Sequence, residues 1–267
     1  MILKLPRLDR LGQFHETGWV RFDRDAEVLK WLKIAEPAAM ATRYDPAFAE
    51  WLTCGDTWFV GVNALANDEF GSIAGSGALP GEAIRFARTE LGFGAGALDR
   101  GQVSICYPGF PKPRAGENEA GFAYRVDRDG AHVDGLHPVG PEKNRKQLEF
   151  QGFLLAYPIT KAGEKAAPLV VWEGSQKIMQ AMFRENLSGL PTDLWSDVDL
   201  TIPYHQARRQ VFETCKRRIV HAEPGEAYLL HRMALHGVSG WQKGAGAQDE
   251  GRAVLYFRPE IPRTDWL

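Results

Sequence analysis

The chain has 267 residues, 44% of them hydrophobic and 25% charged, with 32 basic against 34 acidic side chains and a net charge of −2. That balance gives no long-range attraction to phosphate backbones or anionic membranes, and no basic run exceeds "CKRR" at 215–218; nucleic acid and membrane surfaces are therefore not expected partners. Cys54, Cys106 and Cys215 are odd in number and widely spaced, form no CxxC motif and suit a reducing compartment.

The N-terminus is broken by Lys4, Pro6, Arg7, Asp9 and Arg10, so it has no apolar leader. No stretch reaches the ~18 apolar residues of a membrane span. A cytoplasmic protein is the expectation. Residues 24–41 place Val28, Leu29, Leu32 and Ala35 near helical spacing until Pro37 ends or kinks the helix. The Gly- and Ala-rich stretch 61–78, with "GSIAGSG" at 71–77, lacks the Lys-Ser/Thr of a phosphate loop and reads as a flexible connection. A second helix is predicted over 79–92, with Pro80 near its start, Ile84, Ala87 and Leu91 on one stripe, and Gly92 as its stop.

From residue 102 the pattern turns to strands. Seven are predicted, at 102–108, 121–126, 130–135, 150–159, 167–174, 226–238 and 252–259, rich in β-branched and aromatic residues between Gly, Pro and Asp clusters. A helical insertion interrupts them. Residues 175–186 carry Ile178, Met179, Met182 and Phe183 on one face with Ser175 as cap, and 204–218 form a further helix. The expected architecture is mainly β with flanking helices. It is read as one domain, with a mainly helical part at 1–101 and a β-core at 102–259 that holds the helical insertion 175–218.

The chemistry centres on "AHVDGLHP" at 131–138. On an extended strand, side chains at i and i+2 leave the same face, so His132 and Asp134 converge while His137, five residues from His132, falls out of phase. HExxH, GxSxG and Walker signatures are absent. What remains is an early His-x-Asp, a late histidine (His231 or His236) and an arginine on the final strand (Arg252 or Arg258). Two histidines and one carboxylate on one side of a metal suit non-haem Fe(II), because they leave three positions open for a co-substrate and O₂. A co-substrate such as 2-oxoglutarate then needs a cation for its distal carboxylate, which arginine's planar fork supplies. Arg252 and Arg258 are six apart, so both can face one side of the strand.

Several stretches share an order with a known family. "FHETGWVRF" (14–22), His132-x-Asp134, "GFLLAYPITKAGEKAAPLVVWEGSQK" (152–177), "PGEAYLLHRMALHGVSG" (224–240) and "GRAVLYFRP" (251–259) resemble successive motifs of the phytanoyl-CoA dioxygenase-like branch of the Fe(II)/2-oxoglutarate oxygenases. Two departures stand out: Gln176 replaces a histidine after Gly174-Ser175, and Glu226 replaces an aspartate. The resemblance implies a double-stranded β-helix (cupin-like jelly roll) and an Fe(II) site of His132, Asp134 and His236. It further implies 2-oxoglutarate held by Arg252, with Arg258 as runner-up, and hydroxylation of a small organic substrate with O₂. Asp134 argues against halogenation, since related halogenases lack that carboxylate. The alternative is a cupin-like module that binds a metal or small acid without redox turnover. Substrate contacts are expected from 44–80, 109–121 and 178–222, which hold Trp51, Trp58, Phe59 and Trp195.

Overall fold

Along the last strand, burial is complete on both faces, because one face meets a second sheet and the other meets helices. This is seen in the computed structural model, which describes residues 9–246 and 250–267. The N-terminal segment 1–8 lies outside them. In chain order the elements are α1 (Arg10–Thr17), β1 (Trp19–Phe22), α2 (Ala26–Ala41), β2 (Leu52–Thr53), β3 (Trp58–Phe59), α3 (Glu82–Thr89) and β4 (Gln102–Cys106). There follow α4 (Glu119–Asp127), β5 (Leu136–Val139), β6 (Asn144–Gln147), β7 (Phe153–Pro158), β8 (Leu169–Glu173), α5 (Ser175–Leu187) and α6 (Thr201–Thr214). The chain closes with β9 (Lys216–Val220), β10 (Ala227–His231), β11 (His236–Val238) and β12 (Arg252–Phe257).

A seven-stranded sheet, ordered β1-β10-β7-β12-β4-β3-β2, faces a three-stranded sheet, β11-β8-β9, and β5 and β6 form a separate hairpin. Every pairing between these strands is antiparallel. From β7 onward the chain passes from the large sheet to the small one (β8, β9), back (β10), across again (β11) and back (β12). That winding is the double-stranded β-helix, with helices on the outside.

Period-two alternation assigns each side chain its layer. Leu154, Ala156, Tyr228, Leu230, Val254 and Tyr256 of the large sheet pack against Leu169, Val171 and Val220 of the small one. Their neighbours Leu155, Tyr157, Leu229, Leu255 and Phe257 face outward onto Val28, Trp31 and Leu32 of α2 and Ile84 of α3. Val170 and Trp172 cover the far side of the small sheet with Met179 and Phe183 of α5 and Tyr204 and Val211 of α6. Each such side chain contributes about 1.5–3 kcal/mol on burial, so the frame around the two sheets is rigid.

Several expected elements take other forms. Residues 121–126, predicted as a strand, lie in α4: the Asn118 side chain accepts the Gly121 N–H at 2.8 Å and starts a helix that buries no residue completely. Residues 130–135 form no regular strand. Only His132 pairs there, in a bridge to His236. The single strand predicted over 226–238 is two strands in different sheets, joined by a turn at 232–235. Pro37 sits inside α2, whose buried Ala35 and Ala39 flank it, and the helix continues to Ala41. Ser175 is the first residue of α5, not its cap; Gly174 occupies that position with φ 85°. The helix predicted to 218 ends at Thr214, and Lys216–Val220 pairs with β8. Among the described residues no helix is long and apolar enough to cross a membrane.

Candidate metal centre

His236 opens β11, and its register with Val171 of β8 turns its side chain into the space between the sheets. The segment holding His132 runs antiparallel beside it, with His132 N–H to His236 O at 2.8 Å and His236 N–H to His132 O at 3.0 Å. This pairing sets the two imidazoles side by side, centroids 4.6 Å apart and planes tilted by 50°. Asp134 follows two residues on and brings Oδ1 to 3.4 Å from His132 Nε2 and 3.7 Å from His236 Nε2. All three ligand atoms lie within 4.8 Å of one another. His236 and Asp134 are nearly buried, whereas His132 stays half exposed, leaving the cluster reachable from solvent.

The hydrogen bonds behind the imidazoles select the tautomer. His132 Nδ1 is 3.1 Å from Gly130 O and His236 Nδ1 is 2.9 Å from Ala234 O. A carbonyl only accepts, so each Nδ1 carries the proton and each Nε2 presents a lone pair toward Asp134. Burial holds His236 down at about 4, against partial opposition from Asp134. Burial alone raises an aspartate, yet His236, Arg258 and His132 together drive Asp134 well below the usual carboxylate range. A metal ion needs an Nε2 lone pair from each imidazole and an ionised carboxylate; the Nδ1 contacts favour that tautomer and Asp134 is held ionised.

Close packing beneath the cluster fixes these positions. Gly237 has no room for a side chain, because the main chain of Asp129 and Ala131 presses against it. Asp129 is buried and forms a two-point ion pair with Arg217 of β9, at 2.7 and 2.8 Å. Tyr124 of α4 donates its hydroxyl hydrogen to Ala131 O at 2.7 Å. Ser175 Oγ accepts the N–H of Leu235, immediately before His236, at 2.9 Å. Gln176, where a histidine was expected, lies away from the cluster: its Nε2 donates to His15 O at 2.9 Å and ties α1 to α5.

The two candidate arginines occupy different places. Arg258, just past β12, has Nη1 3.7 Å from Asp134 Oδ1, and its Nε is buried without a hydrogen-bond partner. Arg252 is only 8% exposed, and Nη2 is 3.5 Å from the Tyr228 hydroxyl, which itself lies 3.1 Å from that of Tyr256. Nη1 of Arg252 is buried with no partner, and no carboxylate pairs with this guanidinium among the described residues. A narrow cavity of about 10 Å³ adjoins Arg252, Tyr228, Thr160 and His221, with room for about one water molecule. None of the three clustered ligand residues lines it.

Of the other residues singled out in sequence, His137 pairs with Glu149 at 3.2 Å on the hairpin after Asp134. Trp195 is in the core, and Trp58 donates to Ser104 Oγ. His231 ends β10 in register with Phe153, on the outward face of the large sheet, and is separate from the His132–Asp134–His236 cluster. The supporting roles of Arg217, Ser175 and Tyr124 had no sequence signal, since each acts across more than one element.

No protein-family model matches the chain, and no curated protein does. Among solved structures it is similar to AviO1 from Streptomyces viridochromogenes Tue57, with TM-score 0.49 and 15% identity over 97% of this chain and 100% of that one. EctD from S. alaskensis with 2-oxoglutarate and 5-hydroxyectoine gives 0.45 and 15% over 93% and 74%. The non-heme alpha ketoglutarate dependent carbocyclase SnoK from nogalamycin biosynthesis gives 0.45 and 13% over 94% and 83%. Likenesses of this degree carry no activity and no residue role to this chain.

Proposed function

We propose that this protein is a non-haem Fe(II)/2-oxoglutarate-dependent dioxygenase that hydroxylates a small organic substrate, with His132, Asp134 and His236 as iron ligands and Arg252 as the partner of the co-substrate. The observation that carries the reading is the convergence of two Nε2 lone pairs and one ionised carboxylate on one point. Ligand atoms of an octahedral ion at ~2.1 Å stand about 3 Å apart, and the observed 3.4 and 3.7 Å close to that with small rotations. Three ligands on one side leave the opposite side for two oxygens of a 2-oxo acid and for O₂. Fe(II) held by His132, Asp134 and His236 would supply the redox chemistry by which O₂ oxidatively decarboxylates the 2-oxo acid and oxidises a substrate C–H bond.

The residues of the chain prepare that chemistry. Asp134 supplies one negative charge against two positive ones, and the Gly130 and Ala234 carbonyls hold both imidazoles in the ligating tautomer. Arg252 is a buried cation without a counter-ion among the described residues. An unneutralised buried charge is costly, and an incoming carboxylate relieves that cost. Arg258 lies against Asp134 itself and so is too close to the metal ligands to grip the far end of a five-carbon diacid. The cavity beside Arg252 is smaller than such a diacid, so binding there requires the surrounding side chains to part.

Anaerobic thermal unfolding with Mn(II), with and without 2-oxoglutarate, tests this reading on wild type and Arg252→Ala. A ligand that binds the native state alone raises apparent stability by mass action, about 2.7 kcal/mol at a hundredfold excess over Kd. The expected result is a metal-dependent rise that Arg252→Ala abolishes and His132→Ala prevents. A wild type that ignores 2-oxoglutarate whatever the metal would leave a cupin-like binding module without turnover.

A further inference from the structure

A ligand-sized cavity lies on the outward side of the large sheet, at the end of β7 and β10. Its volume is about 500 Å³, within the ~300–1,000 Å³ of small-molecule sites. None of His132, Asp134, His236 and Arg252 lines it. Phe14, Leu91, Phe93, Phe153 and Ile261 form its apolar walls. Phe93 stands edge-on to Phe153 at 5.1 Å and Phe14 packs on His231 at 5.6 Å, so several of these rings hold one another in place.

Two polar groups within those walls are set by the main chain. His231 Nδ1 accepts the Met233 N–H at 3.0 Å. The ring hydrogen is therefore on Nε2, and Nε2 has no protein acceptor among the described residues. Burial pushes His231 down to about 3, so the ring stays neutral and in this tautomer. Arg232, beside it, donates from Nε to Trp266 O at 2.7 Å, from Nη2 to Asp265 O at 3.1 Å and from Nη1 to Gly152 O at 3.4 Å. These carbonyls orient the guanidinium without neutralising it, and no carboxylate lies within ion-pair distance of it among the described residues. His15 and Gln180 add polar edges, while Glu90, Glu260 and Asp265 line the same cavity and are exposed.

We propose that this cavity is a second small-molecule site, taking a monocarboxylic acid with an apolar or aromatic body. The carboxylate would receive the His231 Nε2–H and the remaining N–H groups of Arg232, and the body would lie against the phenylalanines. Arg232 offsets one negative charge against the three exposed carboxylates, and among the described residues no second arginine or lysine lines the cavity to hold a diacid. The site does not depend on the iron reading. It is linked to the metal centre through the chain, since four residues separate His231 from His236 and Ala234 N–H returns to His231 O at 2.8 Å.

Isothermal titration of the full chain with 3-phenylpropanoate, 3-phenylpropylamine and glutarate tests the site. The expected result is binding of the monoacid and not the amine, weakened at least tenfold in His231→Phe and abolished in Leu91→Trp, which enlarges a side chain lining the cavity. Leu91→Trp decides the matter should His231→Phe not fold. Mn(II) affinity should be unchanged in Leu91→Trp. Equal binding of the amine, glutarate binding that Leu91→Trp abolishes, no binding of the monoacid at millimolar concentration, or loss of monoacid binding in Arg252→Ala in place of Leu91→Trp would overturn it. Because Mn(II) and 2-oxoglutarate binding are read separately, failure here leaves the iron reading standing, and the converse holds.

Discussion

Replacing Gly237 with alanine should disable the metal cluster without touching a ligand. An alanine Cβ at this position would lie inside 3.0 Å of the Asp129 carbonyl oxygen, 3.1 Å from its carbonyl carbon and 3.3 Å from Ala131 Cα. Carbon atoms pack at about 3.5–4.0 Å, and all three neighbours are main chain, so no side-chain rotation relieves the clash. The 129–131 segment must then withdraw by roughly half an ångström to 1 Å from β11, a figure set by the shortfall from that packing distance. His132 is the next residue, and its two hydrogen bonds to His236 and the Val238 N–H to Asp129 O at 3.0 Å all cross the affected gap. Overpacking of this kind costs about 1–3 kcal/mol, and displacing a ligand by about 1 Å costs on the order of a hundredfold in function. Urea unfolding and Mn(II) titration by proton relaxation measure the two effects separately. Wild-type Mn(II) affinity with a stability loss below about 0.5 kcal/mol, the scatter of ordinary surface substitutions, would refute the claim that this glycine exists for close approach.

Other perturbations follow from the same geometry. Ser175→Ala strands the buried Leu235 N–H and should cost about 1–3 kcal/mol in denaturant unfolding, with weaker Mn(II) binding because His236 is the next residue. Arg217→Met removes the partner of the buried Asp129 carboxylate. With Arg217 itself 42% exposed on its side chain, the loss should be about 1–3 kcal/mol, below the 3–5 of fully buried pairs. Acidification of the metal-free protein has a definite sign at two buried rings: His231 and His236 have folded values near 3 and 4, below the ordinary 6.5. Between those values and 6.5 the unfolded chain binds more protons at these rings, so their contribution to stability falls as pH drops from 6.5 toward 4, opposite in sign to that of Asp99, which burial raises to about 6. His231→Gln should flatten that slope in urea midpoints taken across the range, and an unchanged slope would deny the burial of a neutral ring. Arg252→Met should leave the metal-free protein as stable or more so, because it removes an unpaired buried charge, while ending its response to 2-oxoglutarate.

Much of the frame was legible in the chain. Strands such as 150–159 and 252–259 carry unbroken apolar runs, at 153–159 and 253–257, and buried β-strands need no partner to announce themselves. Residues 121–126 misled because Phe122, Tyr124 and Val126 alternate as a strand would, while the deciding signal was one capping side chain at Asn118. The strand-like run at 226–238 hid a crossing between sheets, since its turn at 232–235, Arg-Met-Ala-Leu, carries no Gly or Pro mark.

Sequence by itself determined the residue types and the order of the candidate site: a His-x-Asp pair, a later histidine before a glycine, and two strand arginines. These follow from composition and period, which are local. Tertiary structure decided which histidine joins the pair, because residues 231 and 236 fall on strands of different sheets that face opposite ways. It also separated Arg252, buried without a counter-ion among the described residues, from Arg258, against Asp134. Their even spacing places both on one face and says nothing of which carboxylate each one meets. That depends on what other segments bring to each end of the strand.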